Sequence, residues 1–322
     1  MKKIFILSEN TDRTTTDVMC WLYYYGYTCY RINMDDKSIS IISITDKYLK
    51  IKTDFDELTI VPNDYVWARR FGFHDVFVSK ESNEEKFQKK LFSFMERRDI
   101  WKSAYYWILN HCQFCVNPFS FTVNKINVLE YAMREGLKVP EWIVTNQKVE
   151  LLTKMKHIRK VAAKPFNTMF YSNNGKTTKS ITNCFSNKQL QSFPPQFPPM
   201  IFQEYIDKKY ELRSFLFGEQ IFTMAILSQK DKKTKIDFRN YNHEKPNMVC
   251  PYKMPKSYEK KILHLSKRLN LFSGSFDILV DANDEYFFLE VNPIGQFGMV
   301  SIPCNYMIEK IIAEYIIKQI TQ

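Results

Sequence analysis

Glycine is scarce in this sequence, at 8 of 322 residues. Neither a G-x-G-x-x-G sequence nor a Walker A sequence occurs. The two glycine-rich loops that often cradle phosphate groups are therefore excluded. If the protein binds a nucleotide, another scaffold must hold it.

Long hydrophobic runs are also missing, because no window approaches the ~18 apolar residues that a membrane-spanning helix needs. The apolar start, residues 3–8, is too short for a signal peptide, so we expect a first β-strand there. The seven cysteines are odd in number and scattered, which predicts reduced thiols and a cytoplasmic protein. Cys112 and Cys115 form a C-x-x-C pair without a second pair at a suitable spacing, so we expect no zinc site.

Positive charge and aromatic residues are abundant instead. The sequence has 46 Lys and Arg against 35 Asp and Glu, a formal charge of +11, together with 26 Phe and 19 Tyr. The aromatics predict several packed cores. The charge suits an anionic partner, such as a nucleotide or an acidic peptide, or serves only to keep the protein in solution. No RNA-binding or helix-turn-helix signature is present, which disfavours a nucleic-acid partner.

The hydrophobic pattern predicts an α+β protein with mixed sheets, because strands and helices alternate without a strict βαβ repeat. Asn124 is an expected N-cap and Gly136 an expected C′ residue of one helix. Residues 193–200, with four prolines, suggest a stiff surface linker. The expected strands are 3–8, 60–67, 141–144, 160–165 and 200–206, with a strand pair over 39–51 and another over 212–227 that turns at Gly218-Glu219. The expected helices are 16–25, 84–110, 125–135, 257–271 and 305–320.

The most informative segment, residues 275–293, reads as two alternating strands around an Ala-Asn-Asp-Glu turn. Centring the turn at Asn283 and Asp284 pairs Asp281 with Tyr286, and therefore Asp277 with Glu290. Asn292 lies two residues beyond Glu290 and points to the same face. Two carboxylates and an amide oxygen aimed at one point suit Mg²⁺. The alternative is an edge hairpin with solvated acids.

Four upstream residues could serve a phosphate or nucleotide. Lys125 opens a helix, and Lys164 is a lone charge that ends an apolar strand. Glu211 and Arg213 share one face of a strand, where the acid could accept ribose hydroxyl groups and the Arg could neutralise a transferring phosphoryl group. Taken one at a time, each of these residues is equally consistent with an ordinary surface charge.

Taken in order, these motifs resemble those of the ATP-grasp ligases over residues 117–293. Within that superfamily the sequence is most similar to the graspetide (microviridin-type) synthetases, and among these to the grasp-with-spasm peptide maturases. The residues that carry this resemblance are Val66-Trp67-Ala-Arg69-Arg70, Asn124-Lys125, Ala163-Lys164-Pro165, Gln203-Glu204-Tyr205-Ile206, Glu211-x-Arg213, Asp237-Phe-Arg239, Pro251-Tyr252, Asp277, Glu290-Val-Asn292-Pro-Ile-Gly-Gln296 and Pro303-Cys304-Asn305-Tyr306.

The resemblance implies an ATP-grasp fold in three parts. These are an N-terminal α/β preATP-grasp domain with the long helix (1–116), a central lid domain (117–202) and a C-terminal domain with the hairpin (203–322). Many relatives carry a glycine-rich loop in the lid, whereas residues 170–175 here offer only Gly175. Backbone N–H groups of this loop can still cradle phosphate.

The resemblance also implies roles for individual residues, with ATP and two Mg²⁺ ions as cofactors. Lys125 and Lys164 would hold phosphates, and Glu211 would bind the ribose. Arg213 would steady the γ-phosphate and the acyl phosphate, and Arg239 would grip the substrate carboxylate. The adenine-binding hinge would comprise Gln203, Glu204, Tyr205 and Ile206, and the metal ligands would be Asp277, Glu290 and Asn292.

The implied reaction is ATP-dependent activation of Asp or Glu side chains in a precursor peptide. Ser, Thr or Lys side chains would then close intramolecular esters or amides. The implied partner is a precursor with a leader and an acidic core that contains Ser or Thr, and a homodimer is compatible with the sequence. One alternative is an ATP-grasp ligase that adds glutamate or a similar amino acid to a protein or peptide. Another is a non-catalytic nucleotide- or peptide-binding protein.

Overall fold

The computed structural model describes residues 2–70, 81–115, 123–166, 170–173, 176–179, 182–229, 234, 244 and 246–322. Candidate Arg239 and the lid glycine Gly175 lie outside these residues. The chain divides into two compact units. Unit 1 comprises Met1–Pro118, Gln296–Ser301 and Met307–Gln322, and unit 2 comprises Phe119–Gly295 and Ile302–Tyr306. The three-part division inferred from the resemblance stays a prediction.

The first part of unit 1 combines a parallel sheet, a small antiparallel sheet and a long helix. Its elements are β1 (Ile4–Ser8), α1 (Arg13–Tyr24), β2 (Cys29–Asn33), β3 (Ser40–Ile44), β4 (Leu49–Lys52), β5 (Glu57–Ile60), β6 (Tyr65–Ala68), α2 (Glu84–His111) and β7 (Gln113–Cys115). The parallel sheet has the order β2-β1-β6-β7, and the antiparallel sheet the order β3-β4-β5. Strand β1 is apolar up to its final Ser8 and buried throughout, as expected for a central parallel strand.

Most of the expected elements of unit 1 are confirmed, with shifted ends. The bounds of helix α2 agree with the prediction to within one residue. Asn83 caps its N-terminus by accepting a hydrogen bond from the Lys86 amide. The predicted pair of strands over 39–51 is confirmed by β3 and β4, and a third strand that was not predicted, β5, completes that sheet. The predicted strand 60–67 is confirmed only over its second half, because β5 ends at Ile60 and β6 begins at Tyr65. Cys112 is buried, which raises the pKa of its thiol to about 12 and makes it unreactive.

Most of the rest of the chain forms unit 2, and the C-terminal helix belongs to unit 1. The elements of this part of the chain are α3 (Lys125–Arg134), β8 (Trp142–Gln147), α4 (Lys148–Lys154), β9 (Lys160–Lys164), β10 (Phe170–Asn173), β11 (Lys176–Lys179), β12 (Asn183–Ser186), α5 (Asn187–Gln191), β13 (Gln196–Glu204), β14 (Lys208–Phe217), β15 (Gln220–Leu227), β16 (Met248–Pro251), α6 (Lys256–Arg268), β17 (Ser273–Asp281), β18 (Tyr286–Asn292), α7 (Gly298–Cys304) and α8 (Ile308–Thr321). Helix α8 packs against α1 in unit 1. No helix within the described ranges is both long enough and apolar enough to cross a membrane.

Unit 2 contains two antiparallel sheets and a separate hairpin, β10-β11. The small sheet has the order β12-β9-β13-β8, and the large sheet the order β16-β15-β14-β17-β18. One face of the large sheet forms a core with α3 and α6, and the buried side chains of this core include Val128, Ala132, Leu212, Ile262, Leu265, Phe276, Ile278, Val280 and Phe288. The polar side chains of interest lie on the opposite face. The parallel sheet of unit 1 and the antiparallel sheets of unit 2 confirm the predicted α+β class.

The small sheet joins the large one through residues 205–207, which lie between β13 and β14. The Glu204 amide donates to the Glu141 carbonyl at 2.7 Å, and the Tyr205 amide donates to the Lys160 carbonyl at 2.9 Å. On the other side of this connection, the Phe288 amide of β18 donates to the Lys138 carbonyl at 2.8 Å. The two ends of segment 141–204 are thus hydrogen bonded to each other at the base of the small sheet.

In unit 2 the predicted helix cap and turns are confirmed, whereas the prediction for the proline-containing segment 193–200 is wrong. Asn124 caps α3 by accepting from the Asn127 amide, and Gly136 has a φ of 74° in the C′ position. The predicted turn at Gly218 is confirmed, with a φ of 61°. The interpretation of 193–200 as a surface linker is wrong, because β13 begins at Gln196. Its pairing with β8 is irregular from Gln196 to Met200, a stretch that contains prolines without N–H groups.

Candidate active site

An open pocket of about 640 Å³ lies between the small and the large sheet of unit 2. Most of the predicted site residues line it, namely Lys164, Gln203, Glu204, Tyr205, Ile206, Glu211, Asp277 and Glu290. A smaller adjoining pocket is lined by Lys125 and shares Lys164, Gln203 and Glu290 with the first. Residues far apart in sequence thus meet around one space, with lysines and carboxylates on its walls.

The two carboxylates of the hairpin are cross-strand neighbours, since Asp277 on β17 pairs with Glu290 on β18. This predicted pair is confirmed, but the register inferred at the turn is wrong, because Tyr286 pairs with Val280 and not with Asp281. A β-bulge at Leu289 makes up the difference of one residue. It also lets Leu289 and Glu290 both line the pocket while Phe288 faces the core.

Asn292 ends β18 and lies opposite Ser275. Its side-chain Oδ1 accepts from the backbone amides of Ile294 at 3.1 Å and Gly295 at 3.4 Å. The amide oxygen that was predicted to bind a metal therefore shapes the turn that follows the strand. Asn292 is exposed and lines neither pocket.

Arg213 on β14 lies directly across from Asp277 on β17. Its Nη1 donates to Asp277 Oδ1 in a partly buried ion pair. Arg213 Nε is buried and has no hydrogen-bond partner among the described residues. The predicted phosphate-binding cation and one predicted metal ligand are thus in direct contact.

The two predicted lysines approach the same space from different elements. Lys125 is the first residue of α3, and its Nζ donates to the Pro165 carbonyl at 3.0 Å. Lys164 ends β9 immediately before Pro165 and lines both pockets. Helix α3 presents its positive N-terminal end here, which favours an anion. The lysine side of the pocket therefore faces the carboxylates of the large sheet with opposite charge.

Glu211 lies on the pocket face of β14 and is 8% exposed. Its Oε1 accepts from Lys208 Nζ at 2.6 Å and from Ser228 Oγ at 2.9 Å. Burial raises the pKa of the Glu211 carboxyl, and the nearby Lys208 and the two hydrogen bonds oppose that rise. Sequence reasoning found Glu211 but missed both partners.

Residues 203–206 form the wall between the sheets, as expected of a hinge. Gln203 is buried, Ile206 joins a small apolar cluster with Leu279 and Phe287, and Glu204 and Tyr205 are half-buried. Burial raises the pKa of the Tyr205 phenol to about 12, which keeps it neutral at ordinary pH. This wall combines an apolar surface with a few polar groups, a combination typical of small-molecule sites.

The oxygen ligands in the pocket suit Mg²⁺, although the protein supplies only a few of them. No group of three or more His, Cys, Asp or Glu side chains that could hold a metal occurs among the residues that the structure describes. Asp277 and Glu290 provide two carboxylates on adjacent strands. Mg²⁺ is commonly held by one or two carboxylates together with substrate phosphates and water. The pocket therefore suits an ion that arrives with a nucleotide.

Gly295 fixes the loop that follows Asn292, and we expect Gly295→Ala to destabilise the protein strongly. Its φ is 59°, and a Cβ would lie 2.8 Å from the buried Phe215 ring and 3.1 Å from the Ser275 backbone nitrogen. Gly218→Ala is the matched control, because its φ is 61° but its nearest contact would be an ordinary 3.6 Å. Urea unfolding should show a loss of about 1–2 kcal/mol for the control and about 1–3 kcal/mol more for Gly295→Ala. Equal losses would contradict the steric argument.

Comparison with known proteins agrees with this geometry. Residues 122–316 match the model of the RimK-like ATP-grasp domain. No curated protein matches the chain.

Three solved structures similar to this chain are peptide-associated ligases. A RiPP-associated ATP-grasp ligase from Chryseobacterium gregarium, in complex with ADP and a leader and core peptide, is 24% identical with a TM-score of 0.79, over 99% of this chain and 97% of that chain. The macrocyclase MdnC from Microcystis aeruginosa MRC, bound to the precursor peptide MdnA, is 25% identical with a TM-score of 0.80, over 98% and 99%. The ATP-grasp ligase PsnB, complexed with a phosphomimetic variant of a minimal precursor, Mg and ADP, is 15% identical with a TM-score of 0.73, over 99% of both chains.

These matches confirm the ATP-grasp fold inferred from the ordered motifs. The family model spans well over half of the sequence and includes every described candidate residue. The chain belongs to the RimK-like ATP-grasp family.

Proposed function

We propose that this protein is an ATP-dependent peptide maturase that activates Asp or Glu side chains of a precursor peptide and closes esters or amides within that peptide. The observation that carries the proposal is the Asp277–Glu290 pair, which faces a lysine-lined pocket beside Arg213. Family membership supports ATP as the activating substrate. Nearly full-length similarity to MdnC, a macrocyclase bound with its precursor peptide, supports a peptide as the acceptor.

The proposed chemistry proceeds in two steps. A carboxylate oxygen of the peptide attacks the γ-phosphorus of ATP, the bond from that phosphorus to the β–γ bridging oxygen breaks, and an acyl phosphate and ADP result. A Ser or Thr hydroxyl, or a Lys amine, then attacks the acyl carbon, loses its proton and displaces phosphate. A free carboxylate does not condense usefully in water, so ATP provides the driving force.

The protein contributes positioning and charge neutralisation. In this proposal Lys125 and Lys164 bind phosphates, and residues 203–206 bind adenine. Glu211 binds ribose hydroxyl groups. Arg213, which pairs with Asp277 beside the pocket, neutralises the transferring phosphoryl group. Arg239 grips the substrate carboxylate, although it lies outside the described residues.

Asp277 and Glu290 are the proposed Mg²⁺ ligands, with Asn292 as a third and with two ions per site. When bound, Mg²⁺ would neutralise phosphate charge. For Asn292 to take part, its amide oxygen must release the Ile294 and Gly295 amides or accept the ion in addition to them. The partner of the enzyme is proposed to be a precursor with a leader and an acidic core containing Ser or Thr. The net charge of +11 suits such a core. The cytoplasm and a homodimeric assembly are part of the same proposal.

We expect ATP and Mg²⁺ to lower the mass of a genuine precursor by one water for each bond formed. Candidate precursors are short peptides encoded beside the gene, with C-termini rich in Thr and in Asp or Glu. Mass spectrometry should show this loss together with one ADP per bond. A gain of amino-acid mass would instead identify a ligase that adds glutamate or a similar residue. Nucleotide binding without ADP release in the presence of the precursor would contradict catalysis altogether.

A further inference from the structure

A buried ion pair lies at the end of β14 nearest the hinge. Lys208 and Glu211 are 7% and 8% exposed, and Lys208 Nζ lies 2.6 Å from Glu211 Oε1. Both residues line the main pocket. Burying two charges is costly unless their geometry is good and the remaining polar atoms are satisfied. The stability of the Lys208–Glu211 pair therefore depends on what each of its polar atoms contacts.

A β-bulge brings the two side chains together. Residues three apart on a regular strand point to opposite faces. Here Lys208 pairs with Asp281 and Tyr210 with Val280, so Lys209 is an extra residue without a partner on β17. The bulge turns Lys208 to the face that carries Glu211. Asp281, across from Lys208, uses its own Oδ1 to accept from the Asn283 and Glu285 amides in the hairpin turn.

The two oxygens of Glu211 have different surroundings. Oε1 accepts from Lys208 and, at 2.9 Å, from the hydroxyl of buried Ser228. Oε2 has no hydrogen-bond partner among the residues that the structure describes. It is also not one of the fully buried side-chain atoms that lack a hydrogen-bond partner there. Because Glu211 lines the pocket, Oε2 is the oxygen available to a ligand.

The charged and titratable groups around Glu211 come from every neighbouring element. Lys208 on β14 stabilises its negative charge, whereas Asp277 on β17 opposes it. The Tyr205 phenol at the hinge is neutral at ordinary pH, and Ser228 after β15 donates a hydrogen bond. Lys208 is therefore the cation in contact with a carboxylate that burial and Asp277 otherwise disfavour.

We propose that Lys208, assisted by Ser228, is a positioning residue that occupies Glu211 Oε1 and so presents Oε2 to a ribose hydroxyl of the nucleotide. The inference rests on the proposed function, because it assumes that Glu211 faces the ribose. Lys208 would thereby contribute to specificity for the ribose, a role that the residue spacing along β14 does not indicate. Lys208 acts through Glu211 and does not itself contact the ribose.

The test measures dissociation constants for ADP, 2′-deoxy-ADP and 3′-deoxy-ADP by calorimetry in the presence of Mg²⁺. The wild-type protein should bind ADP more tightly than at least one deoxy analogue, by about tenfold, as expected for a hydrogen bond to a charged group. In Lys208→Met this preference should fall below about threefold, because Glu211 would lose its charge or its orientation. Lys209→Met is the matched control, since Lys209 is exposed and pairs with Asp284, and its preference should stay unchanged.

Ser228→Ala provides a second, milder variant, which should reduce the preference partially even if Lys208→Met fails to fold. Equal weakening of ADP and both analogues by these variants would overturn the proposal, since a purely structural pair affects all three nucleotides alike. A wild-type protein that binds ADP without preference would also overturn it. A wild-type protein that binds none of the three nucleotides would instead refute the proposed function itself, and the two failures are thereby distinguished.

Discussion

Glu290→Gln is expected to reduce ATP-dependent bond formation by about 10²–10³-fold, the loss typical of removing one preorganised electrostatic contact. Glu290 and Asp277 are the two carboxylates that face the pocket as cross-strand neighbours. Removing one leaves a single carboxylate to hold the Mg²⁺ that neutralises phosphate charge. The rate of precursor dehydration at saturating ATP, followed by mass spectrometry, measures this effect.

Glu285→Gln is the matched control for this experiment. It makes the same chemical change on the same hairpin, but Glu285 is an exposed turn residue that pairs with Lys138. Its activity should equal that of the wild type. Undiminished dehydration by Glu290→Gln would remove Glu290 from the proposed metal site.

Arg213→Met is expected to lower the rate constant of phosphoryl transfer by about 10³–10⁵-fold, in the range of a catalytic Arg that stabilises transferring phosphate. Binding of ADP should change much less, because Arg213 is proposed to act on the γ-phosphate, which ADP lacks. Single-turnover kinetics with calorimetric ADP binding separate the two effects. Arg213→Lys should rescue poorly, since an ammonium group does not reproduce the fork of a guanidinium.

The same variant has a second expected effect, on stability. Arg213 contacts Asp277 in a partly buried ion pair, so its loss removes a cation in direct contact with Asp277, whose carboxylate is the cross-strand neighbour of Glu290. In EDTA the free energy of unfolding should fall by about 3 kcal/mol. Adding Mg²⁺ and ADP should restore part of that loss. Arg268→Met, which removes an exposed pair with Glu135, should show neither effect. A normal transfer rate in Arg213→Met would contradict the proposed role.

Sequence reasoning succeeded where local rules decide the outcome. The Asn124 cap, the Gly218 turn and the length of α2 follow from capping residues, positive-φ glycine and helical spacing. The pairing of Asp277 with Glu290 was also obtained, but by counting along a regular hairpin that does not exist. The inferred register at the turn was one residue out, and the bulge at Leu289 cancelled that error.

What sequence reasoning missed depends on contacts between distant strands. Nothing in the sequence distinguishes Lys208 from the other lysines, and a three-residue spacing on a regular strand would separate it from Glu211. The bulge at Lys209 reverses that conclusion, and it arises from pairing with β17, about seventy residues later in the chain. Ser228 carries no local signal at all. The turn contacts of Asn292 depend on the path of the loop through Gly295.

The hydrogen bond between Glu204 and Glu141 has a consequence for how such an enzyme can change. Segment 141–204, which carries the small sheet, enters and leaves through adjacent backbone positions held together at 2.7 Å. Such a segment can be replaced as one piece, because its two ends lie side by side. Recombination with breakpoints beside residues 140 and 205 could exchange it whole, leaving Glu211, Arg213, Asp277 and Glu290 on an uncut sheet. The part of the pocket that supplies Lys164 can therefore diversify separately from the part that supplies the carboxylates.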